Sequence, residues 1–239
     1  MGRYIKGLFK FLFLILLVLG ICWFGLKYYF THVNVIANDV SGNVYTQIQA
    51  HHSQFLEYND IPETYRNAII STEDRSFFTN RGVDLRGMVR AVVVDVRAGK
   101  PLQGASTITQ QLIDNTILST MSKSLSWKVL EVIYSIGLYD TMSKQETFAF
   151  YTNVIYFGHG AYGLHDAAEI YFGKAPSELN DGEMTLLAGL PNAPSNYDPY
   201  KNMKLARERQ VQVVHSMVDN GVISDAEAKT IINKPIVLR

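Results

Sequence analysis

Two adjacent carboxylates, Glu73 and Asp74, are the first residues whose types and setting suit acid–base chemistry. They follow Ile69–Thr72 and precede the aromatic pair Phe77-Phe78. Apolar surroundings would desolvate one member of the pair, and a desolvated carboxyl group suits a general acid or base. Local spacing alone favours the alternative, in which both acids end a helix and form a solvated ion-pair cluster with Arg75.

A second polar constellation lies between Gly104 and Leu112. Hydroxyl and amide side chains follow the glycine at a predicted helix start, at Ser106, Thr107, Thr109, Gln110 and Gln111. The free backbone N–H groups of a helix start, together with hydroxyl groups, can hold a phosphate or a sugar. An N-cap followed by an exposed polar face gives the same pattern, so the segment by itself leaves both interpretations open.

Glu131 interrupts an otherwise apolar helical stripe. The stripe recurs at helical spacing on the same face, at Trp127, Leu130, Tyr134 and Leu138. A carboxylate in such a place needs a partner or a functional reason to be there. Lys128 precedes it by three residues, so locally a simple Lys–Glu ion pair is the favoured interpretation.

The N-terminus contains a long apolar run. Residues from Phe11 to Leu26 carry no charge, and about 20 apolar residues suffice to cross the hydrocarbon core of a bilayer. Basic residues without any acid precede the run, at Arg3, Lys6 and Lys10, which predicts a cytoplasmic N-terminus. A cleaved signal peptide is the alternative, but Gly25–Tyr28 is a poor cleavage site. We therefore expect a cytoplasmic stub and membrane anchor over residues 1–31.

The charges divide unevenly along the 239 residues. Four of the 22 basic residues and none of the 22 acidic residues lie in residues 1–31, so the remainder has a formal charge of −4. This balance gives no reason to expect nucleic acid as a partner. The 47% apolar content excludes a wholly disordered chain, and the single Cys22 excludes an internal disulfide.

The elements after the anchor read as mainly helical. Turn-forming residue types over 38–43 predict a stalk or linker at 32–60. Asp60–Glu63 predicts a capping box with proline at the first helical position, and Ser224–Glu227 predicts another. Asp84 is expected to cap a helix that ends near Gly99. One mainly α-helical domain over residues 61–239 follows from this pattern.

Taken together and in this order, the segments resemble the peptidoglycan glycosyltransferase family, the lysozyme-like polymerases that extend glycan strands from lipid II. The resemblance covers about residues 61–218. Five segments carry it, namely Glu73–Phe78 with Gly82; Gly104 with Ser106–Gln111; Lys128 with Glu131; Tyr151, Asn153, Tyr156 and Gly158; and Leu187–Pro191 with Ala193–Ser195. The resemblance implies a lysozyme-like helical glycosyltransferase domain behind a single N-terminal transmembrane helix.

The resemblance also implies roles for individual residues. Glu73 would be the general base and Glu131 the second catalytic carboxylate. Substrate-binding residues would be Asp74, Phe77, Asn80, Arg86, Arg90, Gly104, Ser106, Thr107, Thr109, Gln110, Gln111, Lys128, Asn153 and Tyr156. No obligatory cofactor is expected; Lys128 with a nearby arginine is the preferred counter-charge to Glu131, and a divalent cation near Glu131 is the alternative.

Three positions depart from the family pattern. Asn80 stands where the family usually has histidine, Asp114 where it has lysine, and Trp127 where it has arginine. Two cationic positions are lost, and one of them is inverted in sign. A catalytically weakened, membrane-tethered scaffold is therefore an alternative to an active polymerase, and a lysozyme-like glycan-cleaving enzyme is another.

The expected setting is the bacterial cell membrane, crossed once, with the catalytic domain on the outer side. Expected partners are lipid II, the lipid-linked glycan strand and the membrane itself, and a separate transpeptidase is compatible with the resemblance. The sequence contains no Ser-x-x-Lys motif, so we expect a monofunctional polymerase without a transpeptidase domain.

Overall fold

The computed structural model describes residues 2–33, 35–88 and 106–239. Its helices are α1 (Gly2–Val33), α2 (Val35–His51), α3 (Glu63–Glu73), α4 (Ile108–Asn115), α5 (Leu125–Thr141), α6 (Lys144–Val154), α7 (Gly163–Phe172), α8 (Asp181–Gly189), α9 (Pro199–Asp219) and α10 (Asp225–Ile232). Short 3-10 turns cover Tyr58–Asp60, Pro176–Glu178 and Leu190–Asn192. The predicted mainly α fold is confirmed.

Helix α1 is long and apolar enough to span a membrane. The window Leu12–Tyr29 has a mean hydropathy of 2.0, and none of it is buried against the rest of the chain. At its far end α1 packs on α5, where the Lys27 ammonium lies 3.4 Å from the Asp140 carboxylate. The apolar helix predicted from the sequence is thus present and joined to the domain.

Helix α2 replaces the turn predicted over residues 38–43, and that prediction is wrong. Its buried residues, Ile36, Val40, Val44 and Ile48, recur every fourth position and join the main core. The turn-forming side chains instead bond one helical turn back. The Ser41 hydroxyl donates to the Ala37 carbonyl (2.7 Å), and the Asn43 amide donates to the Asp39 carbonyl (2.9 Å). Residues 35–51 therefore pack as part of the domain.

Helix starts agree with the sequence only in part. The Ser224 capping box forms as predicted. The one predicted at Asp60 does not, because residues 58–60 make a 3-10 turn and the Asp60 carboxylate accepts the Glu57 N–H (3.3 Å). Asp84 accepts the Gly87 N–H (2.9 Å) at the start of a helical turn over 85–88. The rest of that predicted helix, with Gly99, lies outside the described residues.

A short hairpin that the sequence analysis did not predict follows α6. Strand β1 (Tyr156–Gly158) pairs antiparallel with β2 (Ala161–Tyr162). Gly158 has φ of 87°, and a Cβ there would lie 2.9 Å from the Pro194 carbonyl oxygen. Only glycine fits this close approach, which holds the hairpin against the loop after α8.

The helices form two packed groups. Helices α3, α8 and α9 contact one another, and α4 packs between α5 and α6. Large buried side chains fill the interior, including Tyr65, Phe77, Phe148 and Tyr151. The two groups meet at the end of α3 and the start of α4, and the polar residues singled out from the sequence converge there.

Candidate active site

A cleft of about 1080 Å³ opens between the two helix groups. Its lining includes the end of α3, the segment from Ser106 into α4, one face of α5, β1 and part of α9. Among the sequence-predicted residues, those that line it are Glu73, Asp74, Ser106, Thr107, Gln111, Glu131 and Tyr156. Carboxylates, hydroxyls and amides thus share one concave surface.

Glu73 is the last residue of α3, and each of its carboxylate oxygens accepts one hydrogen bond from another side chain. The Gln111 amide donates to Oε2 at 2.9 Å, while the Arg209 guanidinium lies 3.5 Å from Oε1. The Tyr151 hydroxyl in turn donates to the side-chain oxygen Oε1 of Gln111 at 3.4 Å. With 12% of its side chain exposed, Glu73 is largely desolvated yet open to the cleft. This setting suits a proton acceptor.

Two buried tyrosines, Tyr65 and Tyr151, lie close enough to Glu73 to feel its charge. Burial raises the pKa of Tyr65 and of Tyr151 well above the ordinary value for a phenol, and the negative charge of Glu73 raises both further. Both therefore remain neutral at physiological pH. The Tyr151 hydroxyl donates to the Gln111 side chain, whereas the buried Tyr65 hydroxyl has no hydrogen-bond partner among the described residues.

Asp74 is buried and links the end of α3 to the start of α4. Its carboxylate accepts from the Asn80 amide (2.9 and 3.0 Å), the Ser76 hydroxyl (3.1 Å) and the backbone N–H of Ile108 (3.2 Å). Burial raises the pKa of Asp74, and these hydrogen bonds partly oppose that rise. Asp74 therefore fixes the relative position of two site segments.

Asn80 connects Asp74 to a lysine that the sequence analysis missed. The side-chain oxygen Oδ1 of Asn80 accepts from the Lys144 ammonium (2.9 Å) and from the Gly82 N–H (3.0 Å). Desolvation lowers the pKa of Lys144 to about 8, and the Asp74 charge partly opposes that fall. The residue that departs from the family pattern thus sits inside a connected polar network.

Glu131 lies deeper than Glu73, with 2% of its side chain exposed. Its Oε2 atom forms an ion pair with the Lys128 ammonium and accepts from the Gln110 amide at 2.8 Å. The Lys128 ammonium also donates to the Ser106 hydroxyl at 3.1 Å. The Lys–Glu pair favoured from local spacing is confirmed, and it forms at the wall of the cleft.

Neighbouring glutamines of α4 hold the two carboxylates. Gln110 donates to Glu131 and Gln111 donates to Glu73. Thr107 caps this helix, accepting from the Gln110 N–H, while the Gln110 side-chain oxygen accepts the Thr107 N–H at 3.0 Å. The predicted N-cap therefore forms, but the polar residues after it are not an exposed face, since Thr109 and Gln110 are buried and Gln111 is half-buried. Binding of a phosphate or sugar by this segment stays a prediction.

Gly82 brings the segment after α3 against α5. Its φ is 85°, and a Cβ at this position would lie 2.2 Å from the Ser135 carbonyl oxygen. Its own carbonyl oxygen accepts from the Thr107 hydroxyl at 2.7 Å. Any larger residue would separate the segments that carry Asp74, Thr107 and Glu131.

Several predicted substrate contacts lie elsewhere. Asn153 is buried, where its side chain accepts the Leu56 N–H and donates to the Leu56 and Ala149 carbonyls, so in this structure it holds the backbone inside the domain and does not line the cleft. Phe77 is also fully buried, with its ring against Phe148. Thr109 is buried, and its hydroxyl has no partner within the described ranges.

Two of the three remaining predicted positions cannot be placed. Arg86 is exposed in the short helical turn after Asp84. Arg90 and Gly104 fall outside the described residues.

Arg209 is the cleft residue that sequence reasoning missed most clearly. It lies on α9, beside the buried stripe formed by Ala206, Gln210, Val213 and Met217. A basic residue at the edge of such a stripe is a detectable signal, since burying its charge requires a partner. That partner, Glu73, is 136 residues away in sequence.

The immediate contacts of Glu131 favour an ammonium as its counter-charge. Its Oε2 atom is held by the Lys128 ammonium and the Gln110 amide N–H, which are both hydrogen-bond donors. The described part of the chain brings together no three His, Cys, Asp or Glu side chains in a metal-binding arrangement. The ammonium of Lys128 already supplies the counter-charge.

Comparisons with known proteins give the family of this chain. The family model described as Transglycosylase matches residues 41–218. Penicillin-binding protein 1A of Aquifex aeolicus (strain VF5) is 38% identical over 201 residues, covering 84% of this chain and 28% of that protein. Penicillin-binding protein 4 of Bacillus subtilis (strain 168) is 39% identical over 202 residues, covering 84% and 32%.

The chain thus spans about a third or less of the length of these curated relatives. Among solved structures, the 2.6 Å crystal structure of penicillin-binding protein 1A from Haemophilus influenzae matches with a TM-score of 0.45 and 24% identity, covering 78% of this chain and 18% of that one.

Proposed function

Because the chain belongs to the transglycosylase family, we propose that it polymerises the glycan strands of bacterial peptidoglycan. It transfers the growing lipid-linked strand onto lipid II and releases a polyprenyl pyrophosphate. The observation that carries this proposal is the pair of carboxylates, Glu73 and Glu131, held in one cleft by the adjacent amides of Gln111 and Gln110.

At the acceptor, Glu73 acts as the general base. Its carboxylate takes the proton from the 4-hydroxyl of an incoming N-acetylglucosamine, and that oxygen bonds to the anomeric carbon of the donor strand. The bond between the anomeric carbon and the pyrophosphate oxygen breaks, and its electron pair leaves with the pyrophosphate. In-line attack inverts the anomeric centre, so an α-linked donor gives a β-1,4 link.

At the leaving group, Lys128 carries the positive charge that the departing pyrophosphate needs. A bare carboxylate at this place would repel the pyrophosphate, but Glu131 forms an ion pair with Lys128 and so holds the ammonium in position. The Ser106 hydroxyl, bonded to the same ammonium, adds a further donor. These groups stabilise the charge that develops in the transition state.

Asn80 supports an active enzyme over a weakened scaffold. Its amide bonds both oxygens of Asp74, and its carbonyl oxygen accepts from Lys144, so the substitution for histidine leaves the network around Asp74 connected. The segment that positions Glu73 therefore keeps its attachment to α4.

The anchor places this reaction at a membrane surface. We infer that α1 crosses the bacterial cell membrane once, with Arg3, Lys6 and Lys10 on the cytoplasmic side and the cleft on the outer side. Tethering enzyme and lipid-linked substrate to one surface raises their effective concentration.

Polymer formation from purified lipid II tests the proposal. The native protein in detergent should give a β-1,4 polymer, and Glu73→Gln should lower its rate by about 10²–10⁴-fold, the contribution of a general base. Glu63→Gln is the matched control, since it makes the same change at the exposed first residue of the same helix.

Three outcomes would overturn it. Full activity of Glu73→Gln would remove the assigned base. Release of sugars from finished peptidoglycan, with lipid II untouched, would establish a glycan-cleaving enzyme. Folded native protein that does neither would establish a scaffold.

A further inference from the structure

Lys144 places a positive charge near Asp74 without lining the cleft. It is the first residue of α6, and its ammonium lies 4.6 Å from the ring centroid of Phe77 and 5.2 Å from that of Tyr139. Aromatic rings attract cations at such distances, so the two rings help to hold the ammonium in place. Neither Lys144 nor its hydrogen-bond partner Asn80 is among the residues that line the cleft. Any influence of Lys144 on the reaction therefore passes through other residues.

Lys144 acts on Asp74 both directly and through Asn80. The ammonium donates to Oδ1 of Asn80 at 2.9 Å, and the same oxygen accepts the Gly82 N–H. With Oδ1 bonded to these two donors, the Asn80 amide presents its N–H groups to both oxygens of Asp74. Burial raises the pKa of Asp74, while its hydrogen bonds and the charge of Lys144 oppose that rise. Lys144 therefore favours the ionised form of Asp74 and fixes the amide that bonds it.

The ionised Asp74 holds the start of α4 against the end of α3. Asp74 directly follows Glu73, and its carboxylate accepts the backbone N–H of Ile108, the first residue of α4, at 3.2 Å. A charged carboxylate makes the stronger hydrogen bond to such a group and is favoured at the positive end of a helix. Within the same helix, Gln111 donates to Glu73 at 2.9 Å. The contact between Gln111 and the general base therefore depends on how Asp74 holds α4.

We propose that Lys144 is a positioning residue for glycosyl transfer, which acts on Glu73 through Asp74 and is needed because residue 80 is asparagine. This inference rests on the proposed function. A histidine, the residue that the family pattern has at this position, can donate a hydrogen bond to Asp74 and also carry a positive charge. Asn80 donates the hydrogen bond but is neutral, so Lys144 supplies the charge.

A purely structural role for Lys144 predicts a different pattern of effects. If the side chain only packs across the rings of Phe77 and Tyr139, its loss has the same effect whichever residue occupies position 80. If Lys144 compensates the charge of Asp74 because Asn80 cannot, its loss matters with asparagine at that position and not with histidine. The two roles are therefore separated by combining two substitutions.

The experiment measures kcat and KM of polymer formation for Lys144→Met, Asn80→His and the double variant. In the native background we expect Lys144→Met to lower kcat about fivefold, the effect of one ordinary hydrogen bond, with KM unchanged. In the Asn80→His background the same substitution should give a kcat ratio close to one. Lys234→Met is the matched control, because it removes an ammonium that lies 3.2 Å from the Asp181 carboxylate outside the cleft, and it should leave both constants unchanged.

Hydrogen exchange followed by mass spectrometry gives a second readout that does not depend on turnover. Peptides covering residues 106–111 include the Ile108 N–H that Asp74 accepts. We expect Lys144→Met to speed exchange in these peptides in the native background and to have no such effect in the Asn80→His background. Thermal melting checks that each variant is folded.

The proposal fails if Lys144→Met lowers kcat equally in both backgrounds, changes only KM, or leaves kcat unchanged while the native chain polymerises. If the native chain forms no polymer, the proposed function fails instead. Hydrogen exchange then decides the role of Lys144 alone, as it does if Asn80→His abolishes activity. Equal exchange of residues 106–111 with and without Lys144 in the native background refutes that role.

Discussion

The two carboxylates of the cleft stand in contrasting surroundings. Glu73 faces a neutral amide, two buried phenols and a guanidinium at 3.5 Å. Glu131 forms a close ion pair with Lys128 and is nearly inaccessible. A carboxylate with weak contacts is free to accept a proton, whereas one that is bonded to an ammonium holds a charge in place. One residue type thus serves two roles because its neighbours differ.

Helix α4 bonds the carboxylates at both ends of the cleft. Gln110 and Gln111 are consecutive residues of α4, and each bonds a different carboxylate. Their burial differs, since Gln110 is fully buried and Gln111 is half-buried. The Glu131 end of the cleft is therefore the more deeply buried of the two, and the following variants test that difference.

Among these variants, removing the charge of Glu131 should have the largest effect. We expect Glu131→Gln to lower kcat by about 10²–10³-fold, because Lys128 loses the group that holds it at the leaving pyrophosphate. Initial rates at saturating lipid II measure the change. Glu208→Gln on α9, where the ion pair with Lys204 is exposed, is the matched control. An effect confined to KM would contradict the assigned role.

The neighbouring glutamines should differ in their effect on stability. Gln110→Leu leaves the buried Thr107 N–H without its partner and removes one of the two contacts of Glu131 Oε2, so we expect a loss of about 1–3 kcal/mol in the free energy of unfolding. Gln111→Leu, at a half-buried position, should cost about 1 kcal/mol or less. Chemical denaturation in detergent measures both, and equal losses would contradict the expected difference between the two glutamines.

Replacing Arg209 tests the Glu73 end of the cleft. We expect Arg209→Met to lower the polymerisation rate about tenfold, because one charge-assisted contact to Glu73 is lost, and Arg209→Lys to recover part of it. The melting temperature should change little, since the contact is long at 3.5 Å. Lys204→Met on the same helix serves as the control. An unchanged rate in Arg209→Met would remove Arg209 from the site.

Replacing Lys144 should have the smallest effect. It changes the free energy of unfolding by an amount that depends on pH. Its pKa is lowered from 10.5 to about 8 by burial, so the unfolded chain holds more protons between these values. The contribution of Lys144 to stability therefore rises as pH increases from about 8 towards 10.5.

Differences in melting temperature between native protein and Lys144→Met, measured across this pH range, test the sign. The relative stability of the native chain should increase by at most about 1 kcal/mol, because the side chain is partly exposed. Lys204→Met should show no such trend, and a fall in the relative stability of the native chain would contradict the assignment.

Residues that break an amphipathic pattern were the most informative part of the sequence. Glu73, Glu131 and the Ser106–Gln111 segment interrupt apolar or helical patterns, and the structure brings them to one cleft. A motif match does not say which way a side chain points. Asn153 belongs to a matching segment, yet its amide holds the backbone at Leu56 inside the domain.

Long-range contacts account for what the sequence did not reveal. Arg209 reaches Glu73 across 136 residues, and Lys144 reaches Asn80 across 64. The local periodicity of a sequence does not predict contacts between residues that lie so far apart along the chain. Residues 38–43 were misread for a different reason, since Ser41 and Asn43 favour turns unless their side chains bond back along a helix, and the apolar stripe of α2 decides between these states.

Helix α5 joins the chemistry to the membrane anchor. It carries Glu131 near its beginning and Asp140 near its end, where Asp140 pairs with Lys27 of α1. An α-helix rises about 1.5 Å per residue, so these two carboxylates lie about 14 Å apart along the axis. Helix α5 therefore fixes how far the Glu131 carboxylate of the cleft lies from the end of the apolar helix α1.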